Sequence, residues 1–446
     1  MARTKDMTVG NPAKLIITFA IPLIITNLGQ HFYMMVDAAI VGRGVGVQAL
    51  AAVGSADWTY WLILWSVTAL AQGFSIFISQ SFGEQNYQKM NKTIAMSTLL
   101  CAVVGFVLTV VGIFATKPVL ELLDTPADII GDATVYLTTM IAGCLIVTAY
   151  NMAASILRAL GDGRSPLVGV VIAAVLNIGL DLLFVMAFHW GVFGAAFASV
   201  MAQGIAFIYC FLQIKKIACV HIEKSDWKPD FAMIKKMLLF ATPLTGQSIF
   251  IALSGIILQA TINAQGSNFV AGYTALNKMY GLLESSAISL GASFSTFFAQ
   301  NYGAGEKQRV LQGVRSGIIL SAGLSLVVMA AMLLFGKNIL TMFLDVSKEG
   351  GAEAMAVAWR YLKIMSYWMV ILYVIYVYRN VLPAMWISIW SMIGGIAEGL
   401  VRVGMGIFLV PLWGQEVFYY IEPFSWLAAF LLVIIPYYCC RKKYLL

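Results

Sequence analysis

Long apolar runs are the feature that most restricts what this chain can fold into. Twelve stretches of 20 residues or more carry few charges and are separated by short segments rich in Lys, Arg, Asp, Glu, Pro or Gly. A helix needs about 20 apolar residues to cross a bilayer. Strands of a membrane barrel would instead alternate in polarity over about ten residues, and these runs do not alternate. The sequence therefore predicts an all-α integral membrane protein with twelve transmembrane helices.

The predicted spans form two sets of six, separated by the longest polar stretch of the chain. The first set covers 14–42, 51–79, 92–114, 131–157, 166–188 and 193–214. The second set covers 237–262, 269–299, 311–335, 354–378, 384–411 and 419–438. This spacing predicts an N-lobe over residues 1–214, a cytoplasmic linker over 215–236 and a C-lobe over 237–446.

The charge composition excludes several classes of protein and predicts an orientation. Only 11% of the residues are charged, against about 25% in a soluble domain, which argues against a soluble enzyme and against a disordered chain. The net charge of +7 could suggest nucleic acid. However, twenty of the 28 basic residues fall on the side that carries both termini, and four fall in the opposite loops. By the positive-inside rule, we expect a multi-pass protein of the plasma (inner) membrane with both termini in the cytoplasm and no nucleic-acid partner.

An internal repeat connects the two halves at an offset of about 221 residues. The sequence FAIPL at Phe19–Leu23 recurs as FATPL at Phe240–Leu244, and Arg158 aligns with Arg379. Six spans per half is an even number, so both halves enter the membrane in the same sense. We therefore predict two pseudo-symmetric six-helix lobes with a substrate site between or inside them, which is a transport architecture.

Four polar residues of the first half are predicted to form a cation site. Asp37 and Asp181 lie within spans, Asn177 precedes Asp181 by one helical turn, and Ser199 lies at a similar depth in the next span. Two close carboxylates in a low dielectric cannot both stay ionised unless a cation joins them. An all-oxygen set suits a small hard cation, so we expect Na⁺ or H⁺ as the coupling ion and no other cofactor. The alternative is that each acid faces a small aqueous vestibule.

The second half does not repeat this set. The positions equivalent to Asn177 and Asp181 are Glu398 and Arg402, which are correctly spaced for a structural ion pair within one helix. Glu284 lies in the middle of span 8, with no local partner nearer than Lys278. It is a candidate for a second cation-attracting position, or for a salt bridge to another helix. No cluster with catalytic spacing occurs, so we expect no enzymatic activity.

The sequence resembles the MATE (multidrug and toxic compound extrusion) transporters, and among them the DinF-like prokaryotic branch. The resemblance rests on a proline in the first helix of each half and on the segments VDAAIVGRGVGVQALAAVG, QSFGEQNYQKM, QNYGAGEKQRV, ASILRALGDGRSP, VLNIGLDLLFV and GVFGAAFASVMAQ. It implies two six-helix lobes that open alternately to either side, and export of cationic or amphipathic compounds in exchange for Na⁺ or H⁺.

The resemblance also implies roles for individual residues. The N-lobe cation site of the family corresponds here to Asp37, Asn177, Asp181 and Ser199, with Ser199 standing where Thr is more usual. Tyr136 and Asn151 correspond to residues that line the lobe, although Asn151, counted from Arg158, lies nearer the inner face.

Taken together, these features predict a secondary antiporter that acts as a monomer on small organic cations or amphipathic drugs, with membrane lipid around it. The sequence contains no G-x-x-x-x-G-K-[ST] loop, so ATP is not expected as the direct energy source. The alternative is a flippase for lipid-linked saccharides, which belongs to the same superfamily and would need a strongly cationic cavity. Only Arg402 is predicted to lie in the middle of the membrane, where Glu398 already pairs with it.

Overall fold

The computed structural model describes residues 4–123, 125–344, 346–347 and 350–445. Within these ranges the chain is helical and contains no β-strand. This agrees with the apolar runs, because a helix satisfies all of its internal backbone hydrogen bonds within one segment of chain and can therefore cross lipid.

Seven α-helices and one π-helical segment make up the first half. They are α1 (Pro12–Gly44), α2 (Val47–Gly83), α3 (Tyr87–Leu122), α4 (Ile130–Ala142), α5 (Cys144–Ala159), α6 (Arg164–Asp181), the π segment Leu182–Ala187 and α7 (Gly191–Lys215). The second half contains α8 (Phe231–Asn263), α9 (Ser267–Gly303), α10 (Lys307–Leu340), α11 (Gly351–Ala384), α12 (Ile389–Gly404), the π segment Met405–Leu409, α13 (Val410–Trp413), the 3₁₀ turn Gly414–Val417 and α14 (Phe418–Tyr444).

Nine helical segments of the described residues are long and apolar enough to span a membrane. The number is ten if α4 and α5, which meet at a 46° bend, form one span. One of these segments, Ile389–Tyr444, has 56 residues, and its two main helices, α12 and α14, pack against each other, so it crosses twice. The remaining span is α9, which has 37 residues like α2 but carries more polar side chains. The fold therefore has the twelve transmembrane helices that the sequence predicts.

Corresponding helices of the two halves agree closely in length and in position. Helices α1 and α8 each have 33 residues, and α2 and α9 each have 37. The glycines that precede α2 and α9, Gly46 and Gly266, both have a positive φ angle. A π segment follows α6 in the first half and α12 in the second. The predicted repeat is thus present in the structure as two pseudo-symmetric sets of six spans.

The chain forms two compact units, of which the first comprises Met1–Asp6 and Ile21–Thr245 and the second comprises Met7–Ala20 and Gly246–Leu446. In the first unit, α2 packs against α3, α4 and α5, and α7 packs against α4, α5 and α6. In the second unit, α9 packs against α10 and α11, and α14 packs against α11 and α12. Each unit therefore repeats the same order of helix contacts. The predicted lobe boundaries at 214 and 237 stay a prediction.

The segment before α1 is held by polar contacts within the second unit. The Met7 side chain is fully enclosed, and the Met7 amide donates to Gln300 Oε1 at 2.9 Å. The Met7 carbonyl accepts from Asn301 Nδ2 at 3.0 Å and from Arg309 Nη2 at 3.2 Å. These contacts occupy the α9–α10 connection, which is one of the segments that carry the sequence resemblance.

The segment between α7 and α8, residues 216–230, contains no helix or strand. Most side chains between His221 and Asp230 are exposed, whereas Ile217 and Val220 are buried. Its start is therefore anchored by packing, and the rest lies at the surface.

We predict that Gly161→Ala destabilises the protein more than Gly305→Ala. Both glycines have left-handed φ angles, +80° and +75°, which cost an L-residue about 1–2 kcal/mol. A Cβ at Gly161 would also overlap the backbone carbonyl of Lys5, whereas nothing lies within 4 Å of a Cβ at Gly305. The apparent Tm of the two variants in detergent, followed by tryptophan fluorescence, measures the difference. Equal decreases in Tm would contradict the packing of Lys5 against Gly161.

Candidate functional site

Helices α6 and α7 form a tight antiparallel pair that presents polar side chains inside the first unit. Glycine makes the close approach possible at two levels. A Cβ on Gly169 of α6 would lie 3.1 Å from Cys210 Sγ, and a Cβ on Gly194 of α7 would lie 3.1 Å from Phe184 Cβ. Small residues at these positions let the two backbones come together without displacing their neighbours.

Three of the predicted site residues meet on this pair. Asn177 and Asp181 are one turn apart on α6, and both side chains are buried. Asn177 Nδ2 donates to Ser199 Oγ of α7 at 3.2 Å. Asp181 is the last residue of α6 before the π segment Leu182–Ala187 begins. A π segment often marks a functional position in a helix, and here it changes the helical register immediately after the carboxylate.

Asp37 of α1 completes the group. Its carboxyl lies within hydrogen-bonding reach of the Asp181 carboxyl. The end of α1 packs against the π segment, because a Cβ on Gly44 would overlap Met186 and come within 3.0 Å of Val185. This packing holds the end of α1 against the π segment that follows Asp181. The structure therefore brings all four predicted residues together, while their role in cation binding stays a prediction.

The arrangement concentrates oxygen atoms that lack hydrogen-bond donors. Asp37 Oδ1, Asn177 Oδ1 and both carboxylate oxygens of Asp181 are buried, and no residue that the structure describes donates to them. A buried carboxylate without a donor or a counter-charge is unfavourable. A proton shared by the two carboxyls, or a small hard cation bound by these oxygens, would remove the cost. Both options need no ligand atom other than oxygen.

The two predicted lining residues lie at different levels of the same unit. Tyr136 of α4 is buried in the apolar core of the first unit, in the same cluster as Tyr60 and Met140. Asn151 of α5 lies beyond the bend between α4 and α5, where its Oδ1 accepts from Thr68 Oγ1 at 3.2 Å. Asn151 thus connects α5 to α2. It is not part of the group formed by Asp37, Asn177, Asp181 and Ser199.

The second unit contains a buried charge network at the corresponding level. Arg402 donates to Glu398 Oε1 of its own helix at 3.2 Å and binds Glu422 of α14 through two nitrogens, at 2.9 and 2.7 Å. Arg379 of α11 pairs with the other oxygen of Glu398. The four side chains form one connected set, and each has a partner of opposite charge.

Sequence reasoning identified only half of this network. The predicted spans left Arg379 between residues 378 and 384, outside the membrane, whereas Arg379 lies inside α11 and only 8% of its surface is exposed. Sequence reasoning also missed Glu422 of α14, and therefore treated Arg402 and Glu398 as a self-contained pair. The available signal was that Glu422 is an acid within an apolar span, which by itself suggests a buried partner.

Glu284, the remaining candidate, lies on α9 in the same unit. Its Oε1 is 3.4 Å from Tyr376 Oη, which donates to it. No salt bridge among the described residues includes Glu284. The predicted alternative of a salt bridge to another helix is therefore not found in the described part of the chain.

A comparison with known families identifies the chain. The family model described as MatE matches residues 22–183 and 243–407, which together exceed half of the sequence. The chain belongs to the MATE family. The two matched segments correspond to the two repeats. The first contains Asp37, Asn177 and Asp181 but not Ser199. The second contains Glu284, Arg379, Glu398 and Arg402.

Several MATE relatives are similar over most of their length. The probable multidrug resistance protein YoeA of Bacillus subtilis is 27% identical over 334 residues, which is 73% of this chain and 72% of YoeA. The probable multidrug resistance protein YpnP of the same organism is 28% identical over 364 residues, 81% of this chain and 80% of YpnP. The probable multidrug resistance protein NorM of Thermotoga maritima is 24% identical, with coverage of 74% and 72%.

Solved structures share the fold over nearly the whole chain. A crystal structure described as MATE in the bent conformation matches with a TM-score of 0.89 at 21% identity and covers 98% of both chains. A MOP superfamily transporter from Pyrococcus furiosus, described by the reverse polarity of its binding pocket, matches with a TM-score of 0.89 at 20% identity and covers 98% and 97%. This protein therefore has the MATE transporter fold.

We predict that Arg402→Met strongly destabilises this MATE protein, whereas Arg360→Met does not. Arg402 balances Glu398 and Glu422 in a buried network, and removing one partner of such a network costs about 3–5 kcal/mol. Arg360 makes an equally short pair with Glu416 at 2.5 Å, but these side chains are 50% and 57% exposed. An exposed pair contributes about 0–1 kcal/mol.

The free energy of unfolding, measured by SDS titration in mixed micelles, distinguishes the two variants. Similar losses for both would mean that the C-lobe network is as solvated as the surface pair.

Proposed function

We propose that this protein is a secondary active antiporter that exports organic cations or amphipathic drugs in exchange for Na⁺ or H⁺. The observation that carries the proposal is the pair of acids in the first unit, Asp37 and Asp181, whose buried oxygens have no basic partner among the described residues. MATE relatives carry names that describe multidrug resistance or multidrug export, and these names support efflux as the direction of transport.

The coupling follows from the electrostatics of the acid pair. Without a cation, the two carboxylates repel each other in a low dielectric and favour any arrangement of α1 and α6 that separates them or admits water. A bound proton or Na⁺ removes this repulsion and favours the arrangement in which the two carboxyls lie close together. A cation that binds one state more tightly than the other shifts the equilibrium between states. Drug binding with the opposite preference then gives the coupling free energy that exchange requires.

The orientation and setting of the protein are part of the proposal. The excess of Lys and Arg on the side of both termini supports a cytoplasmic location for the N- and C-termini in the plasma membrane. We propose that the protein acts as a monomer without a cofactor other than the coupling ion, in contact with membrane lipid and without nucleic acid.

The flippase alternative would require a cationic cavity for an anionic lipid-linked cargo. The second unit does contain two buried arginines, Arg379 and Arg402. However, Glu398 pairs with both of them and Glu422 pairs with Arg402, so the network presents no excess positive charge. The charge balance of the C-lobe thus favours cationic over anionic cargo.

We predict that Asp37→Asn and Asp181→Asn abolish gradient-driven efflux while the protein still folds. An amide cannot bind or release the coupling proton and weakens Na⁺ binding, so the cation no longer discriminates between the two states. Efflux of a fluorescent cation from proteoliposomes should fall to the level of empty liposomes. Asp128→Asn, which removes an exposed carboxylate from the loop before α4, is the matched control and should transport as the wild type does. Normal efflux by either site variant would refute the site.

We predict that the coupling ion is identified by thermal stability as well as by transport. A ligand that binds only the folded protein at a hundredfold excess over its Kd contributes about 2.7 kcal/mol. If Na⁺ is the ion, NaCl should raise the apparent Tm above its value in equimolar KCl, and Asp181→Asn should remove the difference. If H⁺ is the ion, the two salts give the same Tm, and a pH gradient alone drives efflux in proteoliposomes. Failure of both gradients to drive efflux would refute antiport.

A further inference from the structure

A long apolar groove lies on the outside of the second unit, between α14 and the segment that leads from the end of α12 to α13. Its volume is about 640 Å³. One wall consists of four side chains that are spaced four residues apart, Val401, Met405, Leu409 and Trp413. The other wall belongs to α14, where Tyr420, Phe424 and Leu431 are 39%, 44% and 46% exposed. The groove therefore opens away from the helix bundle, where a membrane protein meets lipid.

The groove forms because α12 and α14 separate along their length. Near the start of α12 the two helices touch, since a Cβ on Gly394 would lie 2.9 Å from Val433 Cγ1 of α14. Val401 follows Gly394 by seven residues, which is about two helical turns, so it lies on the same face. At Val401 this face borders the groove. The wall from Val401 to Trp413 extends over twelve residues, or about 18 Å, and one leaflet of a hydrocarbon core has a similar depth of about 15 Å.

The first unit fills the corresponding space with its own aromatic rings. Phe184 of the π segment stacks on Trp190 with the centroids 4.9 Å apart and the planes inclined by 16°, and the Phe188 ring lies 5.5 Å from the same Trp190 ring. The residues that follow Phe184 and Phe188 by 221 positions, the offset of the internal repeat, are Met405 and Leu409. Both line the groove. The second unit thus has aliphatic side chains at the two positions where the first has rings, and the space beside α14 stays open.

One end of the groove carries two opposite charges. Glu416 belongs to its lining, and both oxygens of this carboxylate accept from Arg360 of α11, at 2.6 and 2.5 Å. The guanidinium carbon of Arg360 lies 4.8 Å from the centre of the Tyr419 ring, and this contact holds the guanidinium at the start of α14. The side chains of Arg360 and Glu416 are 50% and 57% exposed, so both charges are accessible to a ligand that lies in the groove.

We propose that the groove binds one acyl chain of phosphatidylethanolamine and that the Arg360–Glu416 pair binds its headgroup. Acyl chains are the apolar ligands that a bilayer supplies at this depth. A guanidinium binds a phosphate through two parallel hydrogen bonds, and a carboxylate accepts hydrogen bonds from a primary ammonium. The ethanolamine headgroup carries a phosphate and an ammonium, so it offers a partner to each side chain. This site is independent of the coupling ion and of the exported compound.

The pair of charges also discriminates between phospholipids. The quaternary ammonium of phosphatidylcholine has no N–H to donate to Glu416. Phosphatidylglycerol offers a phosphate to Arg360 but no positive charge to Glu416. We therefore expect phosphatidylethanolamine to bind more tightly than either of these lipids with the same acyl chains.

Native mass spectrometry of the purified full-length protein in detergent measures the affinity for dioleoylphosphatidylethanolamine. Leu409→Phe places a ring where the first unit has Phe188 and should weaken binding at least about tenfold, equivalent to 1.4 kcal/mol, because the ring occupies the space of the acyl chain. Leu412→Phe makes the same change three residues later, at a side chain that is 72% exposed and lies outside the groove lining. This matched control should bind the lipid as the wild type does.

The headgroup is tested by variants of the charged pair. Glu416→Gln should remove most of the preference for dioleoylphosphatidylethanolamine over dioleoylphosphatidylcholine, because the amide no longer attracts the ammonium. Arg360→Met should weaken binding of both lipids, because both lose the partner of their phosphate. Lys337→Met, which removes an exposed lysine from the last turn of α10, is the control for loss of a surface charge and should bind as the wild type does.

The apparent Tm in lipid-free detergent separates loss of the site from loss of the fold, and Leu409→Phe should keep the Tm of the wild type. Unchanged lipid binding by Leu409→Phe would overturn the inference. Equal affinity of the wild type for the ethanolamine, choline and glycerol lipids would overturn it as well, because the charged pair would then recognise no headgroup.

Discussion

Burying a carboxylate in a hydrocarbon environment costs free energy until a positive charge joins it, and this constraint shapes both lobes. In the C-lobe, two arginines and two glutamates satisfy one another permanently. In the N-lobe, no salt bridge among the described residues includes Asp37 or Asp181, and no described residue donates to their buried oxygens. The first arrangement holds helices together, whereas we propose that the second binds a cation that enters and leaves.

The two lobes combine a shared architecture with different chemistry. Equivalent helices have equal or similar lengths, the helix contacts follow the same order, and a π segment follows both α6 and α12. Asp181 precedes the π segment in one lobe, and Arg402 lies three residues before it in the other. A duplicated scaffold thus supports opposite charges at corresponding positions. The backbone geometry specifies where a polar side chain lies. The residue type decides whether a neighbouring side chain neutralises it permanently or an exchangeable ion has to do so.

The sequence was most informative where the physics is local. Apolar runs predicted the spans, and a spacing of four residues correctly placed Asn177 and Asp181 on one helical face. Contacts between distant helices were harder to predict. Arg379 resembles a charge at a helix end when read alone. The packing of α11 against α12 places Arg379 beside Glu398, and the packing of α12 against α14 places Arg402 beside Glu422. The hydrogen-bond partner of Glu284, Tyr376, likewise lies on another helix, α11, and no pattern within α9 indicates it.

The enclosed Met7 and the exposed linker together guide how the protein can be engineered. Met7 is completely surrounded and held by three hydrogen bonds, so a reporter domain fused just before it would strain those contacts. Residues 221–230 are mostly exposed and contain no helix or strand, and such segments tolerate inserted sequence. A fluorescent domain or an epitope is therefore best placed in this linker, where it leaves the helices of both lobes covalently intact.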